Sequence, residues 1–135
     1  MNTFALKIVT PDGEVYDGPA ERLACRTIDG DVAILAGHCD YCTALGMGEA
    51  HIVQADGSVR SAACIGGMLF VLGGAARLIA TTWEWAEDID AQRAERSRQR
   101  AEEILKQKSR LDAREVELAS ARLRRALVRK SVAKK

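Results

Sequence analysis

All eleven glycines and both prolines of this 135-residue chain lie within its first 74 residues. That distribution constrains the fold more than any other feature of the sequence. Glycine and proline supply sharp turns and are both costly inside helices. The chain therefore divides into a body with frequent corners and a C-terminal third in which nothing interrupts a helix.

In the body, Phe4, Leu6 and Ile8 alternate with Ala5, Lys7 and Val9, the period of a sandwich strand. Pro11-Asp12-Gly13 then makes a turn, proline setting one φ and glycine admitting the next. Further corners are predicted at Asp17-Gly18, Asp29-Gly30, Ala36-Gly37, Gly46-Met47-Gly48, Asp56-Gly57, Gly66-Gly67 and Gly73-Gly74. The runs between them are β-branched or apolar: Leu23–Thr27, Val32–Leu35, His51–Gln54, Val59–Ile65, Met68–Leu72 and Leu78–Thr82. Many short strands of this kind predict a sandwich or barrel. The clearest hairpin turns at Asp56-Gly57, because Asp-Gly favours a turn whose twist matches its strands.

The texture changes at Trp85-Ala86-Glu87-Asp88. Asp88 or Asp90 can cap a first helix that runs to about Lys108, with Ala94, Ser97, Ala101, Ile104 and Leu105 on one face. A bend is predicted at Lys108-Ser109-Arg110-Leu111. Asp112 with Glu115 resembles a capping box, after which Val116, Ala119, Leu123 and Leu127 recur at helical spacing. Two amphipathic helices with a short connection fold back as an antiparallel hairpin. Its stripe is narrow and alanine-rich, so it buries little and depends on docking against something else. The predicted class is α+β, with a β-sandwich over 1–86 and a helical hairpin over 87–135.

A net charge of +1 conceals a polarity. Residues 1–86 carry 5 Lys/Arg against 10 Asp/Glu, whereas residues 87–135 carry 15 against 9. Segments so different in charge suggest different partners. The longest apolar runs, such as Met68–Leu72, are far too short to cross a bilayer, and the N-terminus lacks a secretory pattern, so a cytoplasmic location without membrane insertion is expected. Catalysis by the chain alone is not expected: it has no Gly-Lys-Ser/Thr phosphate loop, and its two histidines have no nucleophile or acid/base context.

Several strings, in order along the chain, resemble the epsilon subunit of bacterial-type F-type ATP synthases. They are Leu6-Lys7-Ile8-Val9-Thr10-Pro11-Asp12-Gly13-Glu14-Val15-Tyr16, Gly30-Asp31-Val32-Ala33-Ile34-Leu35-Ala36-Gly37-His38, Gly66-Gly67-Met68-Leu69-Phe70-Val71, and Ala86-Glu87-Asp88-Ile89-Asp90-Ala91-Gln92-Arg93-Ala94. The resemblance implies a rotor-foot sandwich contacting the gamma subunit and the c-ring. It also implies a mobile hairpin that reaches the catalytic alpha and beta subunits and restrains ATP hydrolysis, in a complex peripheral to the cytoplasmic face of the membrane. No cofactor is required, but ATP is implied as a regulatory ligand. Ile89, Asp90, Arg93 and Ala94 match the family's Ile/Leu-Asp-x-x-Arg-Ala motif, with Arg100, Arg125 and Arg129 where further arginines are expected. Asp90 could accept from an adenine amino group, while guanidinium groups fork onto phosphate. The bland alternative is a helix cap and a solvated basic face.

Asp31, His38, Trp83 and Trp85 are the interface candidates on the sandwich. His38 contacts the ring or merely holds a turn. Trp83 and Trp85, two apart on one strand face, are core, an interface anchor or a seat for the hairpin, a docking surface being preferred. His51 reads as an exposed strand residue. Where the family usually has prolines around Gly-His, this chain has Ala36 and Asp40, and Met68 replaces a phenylalanine. Cys39-Asp40-Tyr41-Cys42 has the spacing of a zinc corner or redox pair, set in a loop-like context. A packing role without metal is preferred, since Cys25 and Cys64 would have to come near to complete a site. The alternative function is a nucleic-acid-binding module using the basic hairpin. Against it, no aromatic residue follows Ala86 and nine acids interrupt the basic run.

Overall fold

The computed structural model describes residues 2–107 and 110–133. The chain forms two compact units, Met1–Trp85 and Ala86–Lys135. The first holds seven strands: β1 (Phe4–Thr10), β2 (Gly13–Thr27), β3 (Gly30–Leu35), β4 (Tyr41–Ala44), β5 (Met47–Gln54), β6 (Val59–Leu72) and β7 (Ala75–Trp85). A single 3-10 turn, Ala86–Asp88, opens the second unit, followed by α1 (Ala91–Lys106) and α2 (Ala113–Val132).

The sandwich is built on strands long enough to serve both layers. The first half of β2 pairs with β1, from Thr10↔Gly13 to Phe4↔Ala20, and its second half pairs with β3 and β5. Strand β6 pairs with β5 from Val59 to Ile65, then with β4 from Met68 to Val71. A parallel β1–β7 pairing, Leu6↔Ala76 to Val9↔Ile79, joins the remaining edges. Leu6, Ile8, Leu23, Ile34, Ile52, Leu69 and Leu78 are fully buried between the layers, contributed by six different strands. Alternation along each strand sends these residues inward and polar residues outward.

Three predicted corners take a different form. Asp17-Gly18 lies inside β2, where the strand continues extended past Tyr16, whose hydroxyl donates to the Pro19 carbonyl at 2.9 Å. Gly66-Gly67 lies inside β6 as its bend between partners, with Gly66 N–H donating to Gly46 O at 3.0 Å and Leu45 N–H to Gly67 O at 2.8 Å. At Gly46-Met47-Gly48, strand β5 already begins with Met47. The Asp56-Gly57 hairpin forms with Gly57 at φ +86° and Gln54 N–H donating to Ser58 O at 2.8 Å. Strand β4 was not predicted; it brings Cys42 out of the loop and opposite Phe70.

In the helical unit, Asp90 is the N-cap of α1, its Oδ1 accepting from Arg93 N–H at 3.0 Å. Asp112 caps α2 in the same way, accepting from Glu115 N–H at 2.8 Å. Each cap satisfies one of the donors a helix start leaves open. Helix α1 ends at Lys106, and Lys108 and Ser109 of the predicted bend lie outside the described residues. The helices run antiparallel, as the Lys130–Glu95 ion pair at 2.6 Å requires, joining the end of α2 to the start of α1. Their buried positions are Ala94 and Ala101 on α1 and Ala119, Ala126 and Val132 on α2. Leu127, predicted on the packed face, is 46% exposed, and Ala126 beside it is buried instead. Alanine lets two backbones approach where leucine would hold them apart.

Candidate functional site

Three of the five arginines of α2 fall at Arg122, Arg125 and Arg129, spacings of three and seven that put them on one face. On α1, Arg93, Ser97, Arg100 and Ile104 form a similar stripe. Where the two stripes meet, a cleft of about 350 Å³ is lined by Ser97, Arg100, Ala101, Ile104, Arg122, Arg125 and Arg129. Among the described residues, four guanidinium groups line it and no carboxylate does.

Neighbouring charges form ion pairs. Arg98 forks onto Glu95 and also reaches Glu102, Nη1 to Oε2 at 2.7 Å, while Lys130 bridges to Glu95 from the other helix. The Arg98 guanidinium, and after it Lys130, holds the Glu95 carboxyl down to about 2, and Glu95 in turn holds Arg98 firmly charged. These cations are neutralised within the hairpin. A concave surface with four guanidinium groups and no lining acid suits an anion with several oxygens, because each guanidinium presents planar paired donors.

The sequence candidates are distributed as follows. Arg100, Arg125 and Arg129 come together in the cleft. Ile89, Asp90, Arg93 and Ala94 do not line it; they stand at the start of α1, with Ile89 and Ala94 buried and Asp90 and Arg93 exposed. Asp90 has one oxygen occupied as the helix cap, and a carboxylate retains further acceptor capacity. Sequence reasoning overlooked Arg122, although its place three residues before Arg125 was a usable signal. It also assigned Ser97 and Ile104 to packing alone, whereas both line the cleft.

On the sandwich, Asp31 is exposed and pairs with Arg26 across β2–β3 at 3.2 Å. His38 is half-buried in the loop after β3; its backbone N–H donates to Leu35 O at 3.2 Å, its Nδ1 lies 2.7 Å from Cys39 O, and its ring faces Tyr41 at 5.7 Å. Asp40 accepts from Gly73 N–H at 2.9 Å, tying this loop to the β6–β7 turn. Trp83 and Trp85 are half-buried against the core and meet edge-to-face at 5.3 Å, with the Arg60 guanidinium 3.6 Å from the Trp85 ring centre. His51 is half-buried rather than exposed, its Nδ1 3.0 Å from Ser61 Oγ.

The four cysteines are free and divide by environment: Cys25 and Cys64 are buried, Cys39 and Cys42 exposed. Burial, ahead of the charge of Asp31, pushes Cys25 up to about 11; burial, ahead of Cys25, pushes Cys64 up to about 12. Both stay protonated at neutral pH and behave as small apolar groups. Among the described residues no three His, Cys, Asp or Glu side chains are grouped to hold a metal, and no helix is long and apolar enough to cross a membrane.

Comparison with known proteins bears on both units. The family described as ATP synthase, Delta/Epsilon chain, beta-sandwich domain matches residues 3–86, and the family's long alpha-helix domain matches residues 87–134. The chain belongs to the ATP synthase epsilon family. It is 40% identical to the ATP synthase epsilon chain of Ruminococcus albus, over 100% of this chain and 99% of that one. The epsilon chain of Bacillus velezensis is 38% identical over 98% of each. Among solved structures, a chain of the Euglena gracilis mitochondrial ATP synthase superposes with a TM-score of 0.85 at 18% identity, over 96% of this chain and 80% of that one. That likeness speaks for the fold. As an epsilon chain the protein is a non-catalytic subunit of the F-type ATP synthase, and nothing in these matches supports the nucleic-acid-binding alternative.

Proposed function

We propose that this epsilon chain grips the rotor through its sandwich and regulates ATP hydrolysis through its hairpin, at the cytoplasmic face of the membrane. The sandwich docks on the gamma subunit and the c-ring, with Asp31 and the His38 loop toward the ring and the Trp83–Trp85 pair anchoring a protein neighbour. A rim charge such as Asp31 steers association more than it adds affinity, and a half-buried aromatic pair supplies the contact area. The hairpin, with 15 basic against 9 acidic residues, docks on acidic surfaces of the catalytic subunits.

ATP is the regulatory ligand of the helical unit. The observation that carries this part is the convergence of Arg100, Arg125 and Arg129, from both helices, on one cleft without a lining acid. Bound ATP bridges α1 to α2 and holds the hairpin folded, since a ligand that binds one arrangement stabilises that arrangement. Ile89, Asp90, Arg93 and Ala94 receive the adenine end. The Arg93, Ser97, Arg100 stripe leads from there to the cleft on one helix face.

The test is ATP hydrolysis by the assembled complex carrying the full chain or a chain ending before Ile89, with and without ATP-site substitution R100Q. Truncation should raise hydrolysis, and R100Q should weaken ATP binding to the isolated full chain at least tenfold. Unchanged hydrolysis on truncation refutes the inhibitory role, and unchanged binding refutes the cleft.

A further inference from the structure

Resting on the nucleotide reading above, we infer that Arg122 is the residue that reads the terminal phosphate and makes the site select a nucleoside triphosphate over a diphosphate. The cleft holds four arginines, one more than the family pattern supplied, and Arg122 is the extra one.

Direction along the hairpin assigns its role. The Glu95–Lys130 ion pair sets the register of the antiparallel helices, so Arg129, next to Lys130, lies toward the start of α1. Arg122 lies two turns away, about 10 Å further along the axis at 1.5 Å per residue, level with the Arg100–Ile104 end of the cleft. Asp90 is the one acid on the Asp90, Arg93, Ser97, Arg100 face, and it stands about 15 Å before Arg100 by the same rise. An adenine amino group needs an acceptor and finds it there; the phosphates need cations and find them in the cleft. A nucleotide so oriented runs outward from Asp90, meets Arg129 first, then Arg100 and Arg125, and ends at Arg122.

The terminal phosphate carries more charge than an internal one and presents three free oxygens to a planar donor pair. Removing it shortens the ligand at the Arg122 end alone. A diphosphate still reaches Arg129 and Arg125, but leaves Arg122 facing solvent. Ala101 and Ile104, which line the cleft at the same end, offer an anion nothing. Arg122 is exposed, so substituting it removes a charge without opening a buried site.

The experiment is calorimetric titration of the full-length chain with ATP and with ADP, for the wild type, R122Q, R122K and R129Q, with helicity at 222 nm recorded for each. R122Q should weaken ATP at least tenfold and leave ADP within twofold, collapsing the ratio of the two affinities. R122K should restore part of that ratio, and R129Q should weaken both ligands together. Equal loss of ATP and ADP in R122Q, or no loss of ATP, overturns the role of Arg122 while the nucleotide site stands. A wild type that binds neither ligand overturns the site and this inference together.

Discussion

Gly67 is where the sandwich is least able to accept a side chain, and Gly67→Ala measures how much the corner in β6 contributes. Its φ is +121°, outside the range an L-residue adopts comfortably, and strain of that kind costs about 1–3 kcal/mol. A Cβ added there would lie 2.0 Å from Ile79 O and 2.9 Å from Ala80 Cα. Both are backbone atoms, fixed by the Gly67↔Ala80 pairing of β6 with β7, so no rotamer change relieves the contact. Forcing the strands apart adds roughly the cost of overpacking, ~1–3 kcal/mol, for a total near 4 kcal/mol. Gly57→Ala is the control. Gly57 also has positive φ, +86°, but its Cβ would meet nothing within 4 Å, so only the left-handed strain of about 1–2 kcal/mol applies. Urea unfolding followed by tryptophan fluorescence reads the sandwich specifically, because Trp83 and Trp85 are the chain's two tryptophans and both lie on β7. With a slope of about 1 kcal/mol per molar, Gly57→Ala should shift the midpoint by 1–2 M, and Gly67→Ala should shift it by about 4 M or abolish the folded baseline. Equal midpoints for the two variants would refute the claim that backbone contact, rather than φ alone, requires glycine in the corner.

Two further outcomes test the hairpin and the loop. Glu95 has its carboxyl lowered from 4.5 to about 2, first by Arg98 and then by Lys130, so its folded value lies below its unfolded one. The contribution is therefore complete above pH 4.5 and is lost as pH falls through about 2. Helicity at 222 nm should decline across that window in the wild type and less in Glu95→Gln, and superimposable curves would show that the interhelix bridge does not hold the hairpin. Asp40→Ala should free the Gly73 N–H that Asp40 now engages at 2.9 Å, weakening the loop by about 1 kcal/mol. Amide exchange at Gly73 should then speed up severalfold while Leu69 in the core is unaffected; protection retained at Gly73 would mean that the loop is held some other way.

What was legible in the sequence depended on whether local chemistry or distant pairing decided the outcome. The Asp56-Gly57 hairpin and the caps Asp90 and Asp112 are set within a few residues, and their patterns could be read directly. Gly66-Gly67 and Asp17-Gly18 carry the composition of turns, yet they serve inside long strands, because β2 and β6 each change partners midway. That exchange is invisible until the partners are known. Strand β4 is four residues long and is held by its register with β6, so its own sequence, with a Cys-x-x-Cys spacing, pointed elsewhere. For the cleft, resemblance supplied three arginines, and helical spacing alone would have supplied Arg122.

The substitution of Ala126 for Leu127 on the packed face has a consequence for how the hairpin works. A seam of alanines removes little apolar area from water, and at about 25 cal/mol per Å2 it contributes little against the entropy of ordering two helices. Arg100, Arg122 and Arg125, brought into one cleft, oppose the closure further, since like charges brought together repel. The folded pair thus starts near balance, with the Glu95–Lys130 ion pair bridging its two helices. A polyanion in the cleft reverses the repulsion and adds RT ln(1 + [L]/Kd), about 2.7 kcal/mol at a hundredfold excess over Kd. In a tightly packed leucine seam that increment would be a small correction. In an alanine seam it is comparable with everything else that holds the helices together, so the same composition that makes the hairpin weak would make it responsive to the ligand proposed for the cleft.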